Sequence, residues 1–409
     1  MVSSEREYGI PLPKEWGGQV VRIKLSAPEL APLGRVVHFA HHYYDRSSES
    51  STQKVLAVGD GVVCLSEDLG VSWRSWHLSD FDTARLWNGF CLENGSYLVQ
   101  EFGFDPRRPG WEQFGAGRIL LLDPDMNLVS TAQPGRDRWH SPSAIDERDG
   151  VLMFAEYPEN PSYDDDPAGR RASHVHRSLD GGLTWETVLR LEPGTVRHLH
   201  LLRSDPNVPG RWWLFSGDRE YESRVWRSDD NGDTWTDLTE SFGVPDGVPA
   251  LRPRTFRLTD IILDEDRMIW GTDDILGEIR NCDPALPLAE RAGSRLYTAS
   301  YPPDGIIEEI GYLGQPARNI LPLDSYLLVL TQSYHPTYWL RPSAYLARRD
   351  GGGVIKLIDV DRYRPGISGF TYSVASRKPY GGVFFSQRGY GDVFPAPGPL
   401  LLRWTVEFE

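Results

Sequence analysis

Six of the chain's ten histidines fall in three short stretches: "VVHFAHHY" from 36, "WHSPSAID" from 139 and "RHLHLLRS" from 197. His198 and His200 are one residue apart. In a β-strand that spacing puts both imidazoles on one face. With His140 they offer three neutral nitrogen donors and an open fourth position, the ligand set of a catalytic divalent-metal site. The plainer alternative is that these rings line a wet channel and hydrogen-bond to backbone.

Arg197, Arg254 and Arg318 stand at the starts of three separate apolar stretches. A fold that gathers those starts gathers three guanidiniums, and a guanidinium fork matches a carboxylate with two parallel hydrogen bonds. The alternative is internal ion pairing to Asp218, Asp273 and their neighbours. Glu156, Tyr157, Asp218, Asp273 and His335 follow the ends of other apolar stretches. Trp139 could stack on a sugar face or pack in a core.

Two chemistries fit this set. β-Elimination from a uronate needs a base for the C5 proton, a cation on the carboxylate and an acid for the leaving oxygen. His140 or His198 would be base, Arg254 and Arg318 clamps, and Tyr157 acid. Hydrolysis needs two carboxylates about 5 to 9 Å apart, for which Glu101, Glu156, Asp218 and Asp273 are candidates. The sequence does not choose between them.

Composition bounds what must position these residues. Among 409 residues, 40% are apolar and 25% charged, with 14 Trp, 40 Gly and 31 Pro. That mixture points to short strands and many turns. The net charge of -15 argues against nucleic acid or an anionic membrane as partner. No apolar run reaches the ~18 residues of a membrane span. The start, "MVSSEREYGIPLPKEWGG", lacks a basic segment followed by an apolar one, so a cytoplasmic location is expected. Cys64, Cys91 and Cys282 are odd in number and far apart, which predicts buried thiols rather than disulfides or a zinc motif. Oligomeric state leaves no trace in the sequence.

The positioning elements repeat. "LSEDLGVSWRSW", "RSLDGGLTWETV" and "RSDDNGDTWTDL" share Ser-x-Asp-x-Gly-x-(Ser/Thr)-Trp, beginning at Ser66, Ser178 and Ser228. The spacings are 112 and 50, and 112 is twice 56, which predicts a worn copy near 122 at "LLLDPDMNLV". Periods of this size mean stacked units or blades. Each box follows a strand, and two further strands precede it, giving seven units over roughly 36–80, 84–133, 138–192, 196–242, 254–300, 316–360 and 367–409. The segment "QVVRIKL" at 19–25 is free to complete the last. Within the box, Asp and Gly make a tight turn and Trp packs into the blade.

This box resembles the Asp-box, or bacterial neuraminidase repeat, of the sialidase-like propellers. The likeness is specific at the three boxes and covers most of the chain as architecture. It implies an all-β, seven-bladed β-propeller in one domain, with six blades as the alternative, its ring closed by the N-terminal strand. The first strands of the blades would line a central channel. Their starts and the ends of the second strands would share one rim, which would collect the residues named above. True sialidases carry an Arg-Ile-Pro motif that does not occur here. The style of the site is closer to seven-bladed propeller lyases acting on uronic acids. The expectation is therefore a carbohydrate-active enzyme cleaving an acidic glycan by elimination. A sialidase-like hydrolase and a non-catalytic glycan- or protein-binding propeller are the alternatives.

Overall fold

The computed structural model describes residues 6–26, 36–40, 54–59, 61–68, 70–78, 85–104, 114–115, 118–137, 139, 142–158, 170–218, 222–243, 255–273, 293–302, 305–323, 325–331, 343–359, 371–376, 381–387 and 401–408. Seven antiparallel sheets follow one another along the chain, as expected for seven blades. No helix among the described residues is long and apolar enough to cross a membrane.

Blades 1 and 2 run from Val36–Ala40 to Arg74–His77 and from Arg85–Cys91 to Leu128–Ala132. Blade 3 consists of Ile145–Arg148, Val151–Ala155, Ser173–Ser178 and Glu186–Leu191. Blade 4 consists of His198–Ser204, Trp212–Gly217, Val225–Ser228 and Thr236–Asp237. Blade 5 consists of Leu258–Leu263, Arg267–Thr272, Ser294–Ser300 and Ile307–Gly314. Blade 6 runs from Ala317–Leu323 to Val354–Asp359. From blade 3 to blade 7 the first strands pack on one another in order, and those of blades 1 and 2 do the same.

The seventh sheet joins the two ends of the chain. Thr371–Ser376, Gly381–Gln387 and Leu401–Phe408 are followed in the sheet by Val20–Ser26 and then Arg6–Pro11. The expected fourth strand is therefore present, and a fifth covers it. Alternation explains the docking: Val21 and Ile23 are fully buried, while Arg22 and Lys24 point out to Glu7 and Glu407. Each buried Val or Ile contributes about 1.5–3 kcal/mol.

The three boxes share one hydrogen-bond pattern. Ser178 Oγ accepts from the Gly182 amide at 2.8 Å and donates to Asp180. Asp180 accepts from the Thr184 amide at 2.9 Å and from its hydroxyl at 2.5 Å. Ser228 with Asp230 and Ser66 with Asp68 repeat these bonds. The worn copy keeps the Asp: Asp123 accepts from the amides of Asp125 and Asn127. Cys64 and Cys91 are buried thiols, and burial pushes Cys64 up to about 12.

Three strand positions differ from expectation. In blade 3 the first strand begins at Ile145, after a 3-10 turn at Pro142–Ala144, because Pro142 has no N–H for a ladder. In blade 5 the first strand begins at Leu258 rather than 254. Its third strand is Ser294–Ser300 rather than the stretch at 277, which lies outside the described residues, and its fourth reaches Gly314.

Candidate functional site

The site grows from blade 4. His198 opens its first strand, opposite Gly217. The register then breaks between Leu199 and Leu201, leaving His200 as an extra residue, a bulge that re-aims side chains. The two imidazoles lie 5.0 Å apart, both beside Asp218, which follows the second strand. His198 Nε2 is 3.1 Å from Asp218 Oδ2, and His200 Nε2 is 3.5 Å from Oδ1. Gly217 is demanded by the next blade, since a Cβ there would lie 2.8 Å from Arg257 Cγ.

Arg257 is the keystone between blades 4 and 5. It stands immediately before the Leu258–Leu263 strand and is 5% exposed. Its Nη2 is 3.1 Å from Asp218 Oδ1 and 3.6 Å from Asp273 Oδ2, and its Nη1 donates to the Asp218 carbonyl at 3.2 Å. Arg197 Nη1 donates to Asp218 Oδ2 at 2.5 Å. Arg318, from blade 6, approaches Asp273 at 3.9 Å. Among the described residues, three guanidiniums therefore face two carboxylates on a chain that is acidic overall.

Burial would raise the Asp218 carboxyl. The neighbouring His198 imidazole and Arg257 guanidinium overcome that and hold it well below its usual range. Burial drives His198 the other way, down to about 4, against the pull of Asp218. The ring is therefore neutral at pH 7, and the guanidiniums supply the standing charge on Asp218. Tyr157, two residues past the second strand of blade 3, lies flat on His198 with ring centroids 3.7 Å apart. It is half-buried, whereas His198 beneath it is 2% exposed.

A second constellation sits on blade 3. Glu156 is buried, with His174 Nδ1 hydrogen-bonded to it at 2.6 Å and His176 Nε2 lying 3.3 Å from its Oε1. Its Oε1 also accepts the amides of Arg136 and Asp137 at 2.9 and 3.1 Å. Burial would raise Glu156, but the imidazoles of His174 and His176, with the Asp137 amide, hold it at about 2. Among the described residues, two donor groups could hold a metal: His198, His200 and Asp218, and Glu156, His174 and His176.

The structure gathers Tyr157, Arg197, His198, His200, Asp218, Asp273 and Arg318 along the rim of blades 3 to 6. His140, Arg254 and His335 lie outside the described residues. Trp139 is a correction: it is wholly buried, packed on Phe154 in the core between blades 2 and 3, and offers no face to a sugar. Glu156 is likewise buried and belongs to the second constellation. The arginines are ion-paired to Asp218 and Asp273, the alternative weighed from the sequence. Arg257 escaped notice because the strand start was placed four residues early, at 254 rather than Leu258. His174 and His176 escaped because a third strand was not expected to carry chemistry, although their spacing matches that of His198 and His200.

Fold and rim together define a seven-bladed β-propeller with a polar, arginine-rich site on one face. No protein-family model matches the chain, and no curated protein matches it. Among solved structures, it is similar to the GH74 xyloglucanase from Xanthomonas campestris. There the TM-score is 0.51 and the identity 13%, over 94% of this chain and 55% of that one. A chain of the mitotic checkpoint complex gives a TM-score of 0.50 at 10% identity, over 93% of this chain and 97% of that one. These similarities show the propeller fold.

Proposed function

We propose that the protein is a carbohydrate-active propeller that takes an acidic saccharide on the rim of blades 3 to 6 and cleaves it by β-elimination. The observation that supports this reading is the cluster of Arg197, Arg257 and Arg318, which among the described residues meets Asp218 and Asp273, beside a half-buried tyrosine. Guanidiniums gathered in this way suit one carboxylate of a sugar acid. Arg197, the most exposed of the three guanidiniums at 32%, would meet it first, with Arg318 on the far side. Neutralising that carboxylate acidifies the C5 proton, because the enolate charge then falls on paired oxygens.

Tyr157 is the group placed to move a proton at the substrate. His198 is neutral but covered by the tyrosine ring, and stacked rings share no hydrogen-bond line. His198 therefore orients Tyr157, and the role of base first considered for His198 passes to the tyrosine: its phenolate would take the C5 proton and return that proton to the departing glycosidic oxygen as the C4–O bond breaks. Asp218 and Asp273 do not form a hydrolytic acid–base pair in this reading, since Arg257 spans both and helps hold Asp218 anionic. The same fold serves a carbohydrate enzyme in the xyloglucanase, which agrees with the reading without carrying it.

The test is incubation with a panel of uronate-containing oligosaccharides, following ultraviolet absorbance and new reducing ends together. Absorbance from a C4–C5 double bond, lost in Arg197→Ala, supports elimination. Reducing ends without that absorbance mean hydrolysis and overturn the mechanism. Binding without turnover assigns the rim to recognition alone.

A further inference from the structure

Asp218 has guanidiniums on both carboxylate oxygens, which leaves a dication there facing two positive charges. Glu156 is different: both of its oxygens face imidazoles. We propose that Glu156, His174 and His176 hold a divalent transition-metal ion of the zinc class, at a site separate from the arginine rim.

Donor chemistry and spacing agree. Two imidazoles and a carboxylate are borderline-soft ligands of zinc and its neighbours. One donor atom from each residue lies within 4.8 Å of the others. The 3.3 Å between His176 Nε2 and Glu156 Oε1 matches the ligand-to-ligand spacing of about 3.3 Å that bonds of about 2.0 Å make at a tetrahedral centre.

His176 supplies the independent indication. It is 2% exposed, and its Nε2 forms no hydrogen bond of acceptable geometry among the described residues. Its other nitrogen, Nδ1, lies 3.2 Å from Thr187 Oγ1. When Nδ1–H donates to that hydroxyl, the Nε2 lone pair faces the carboxylate. Two electron-rich atoms then oppose each other in a buried place, and a cation between them resolves the conflict. Donation from the far ring nitrogen to an oxygen is how proteins orient metal-binding histidines.

The walls are built for the same purpose. The amides of Arg136 and Asp137 fix Oε1 from behind. Gly135 closes the front: a Cβ there would lie 1.8 Å from Glu156 Oε1 and 2.6 Å from His176 Nε2. An ion here would tie the 133–137 segment to two strands of blade 3, one residue from Tyr157.

The test uses the full chain, stripped with a chelator and dialysed against Co²⁺ alone. The expected result is a single equivalent of Co²⁺ per chain with visible d–d absorption, displaced by Zn²⁺. His176→Ala and Glu156→Gln should weaken binding by at least about tenfold, while His200→Ala leaves it unchanged. His174 is a quarter exposed, so His174→Gln serves as the variant least disturbing to folding, checked by circular dichroism. Absence of stoichiometric Co²⁺ binding by the wild type overturns the site, as does loss in His200→Ala with retention in His174→Gln.

Discussion

Tyr157 and His198 are stacked 3.7 Å apart and 18° from parallel, across the boundary between blades 3 and 4. A residue two positions past one blade's second strand is thereby seated on the first residue of the next blade. If Tyr157 moves the proton, Tyr157→Phe keeps the stack and loses the hydroxyl. The turnover rate should fall by about 10²–10⁴-fold with KM little changed. Tyr157→Ala should raise KM as well, because the platform is gone. Steady-state kinetics on the best uronate substrate separates the two.

Arg257 joins Asp218 and Asp273 in a buried cluster. Arg257→Met removes one cation and leaves two buried carboxylates short of charge. The cost should be about 3–5 kcal/mol, read as a lower denaturant midpoint. Arg197 is partly exposed, so Arg197→Ala should change stability far less and substrate KM more. Equal destabilisation by the two variants would contradict this division.

The repeated box should matter to stability alone. Ser228→Ala strands the buried Gly232 amide, which now donates to Ser228 at 2.8 Å. A loss of about 1–3 kcal/mol is expected. Ser228 pairs with Trp212 at the start of the six-residue strand whose far end leads to Asp218. That separates box and rim by roughly 20 Å, so the turnover of folded protein should be unchanged.

Glu147 carries a pH dependence that stability measurements can read. Burial pushes its carboxyl up to about 7, although the Glu93 amide donates to it at 2.6 Å. The folded state holds this proton more tightly than the unfolded chain, so stability should fall as pH rises from about 4.5 to 7. Glu147→Gln keeps an acceptor for the amide and removes the charge. The variant should therefore gain stability over the wild type above pH 7 and lose that advantage near pH 4, in urea titrations at the two pH values.

Much of the fold was legible in the chain because a propeller writes itself locally. Apolar stretches such as "VLMFA" and "WWLFSG" announced strands. The Ser-x-Asp-x-Gly box announced hairpins whose hydrogen bonds span only four residues. Alternation in "VVRIKL" announced that the N-terminal strand would find an apolar partner. Blade 5 was harder to read, since it carries no box and its third strand lies beyond a long connection.

The site was legible in its residue types and less so in its partnerships. Sequence by itself determined seven blades and the N-terminal strand that joins the last of them, and it supplied Arg, His and carboxylates beside strand ends, because period, turn chemistry and burial pattern are properties of neighbours along the chain. Only the tertiary structure decided that Arg257 bridges Asp218 and Asp273, that Tyr157 covers His198, that Trp139 is core, and that Glu156 meets His174 and His176. Those contacts join residues 16 to 41 positions apart. Within a blade they depend on strand register, and between blades on the angle at which one sheet packs on the next; no local pattern in the sequence encodes that angle.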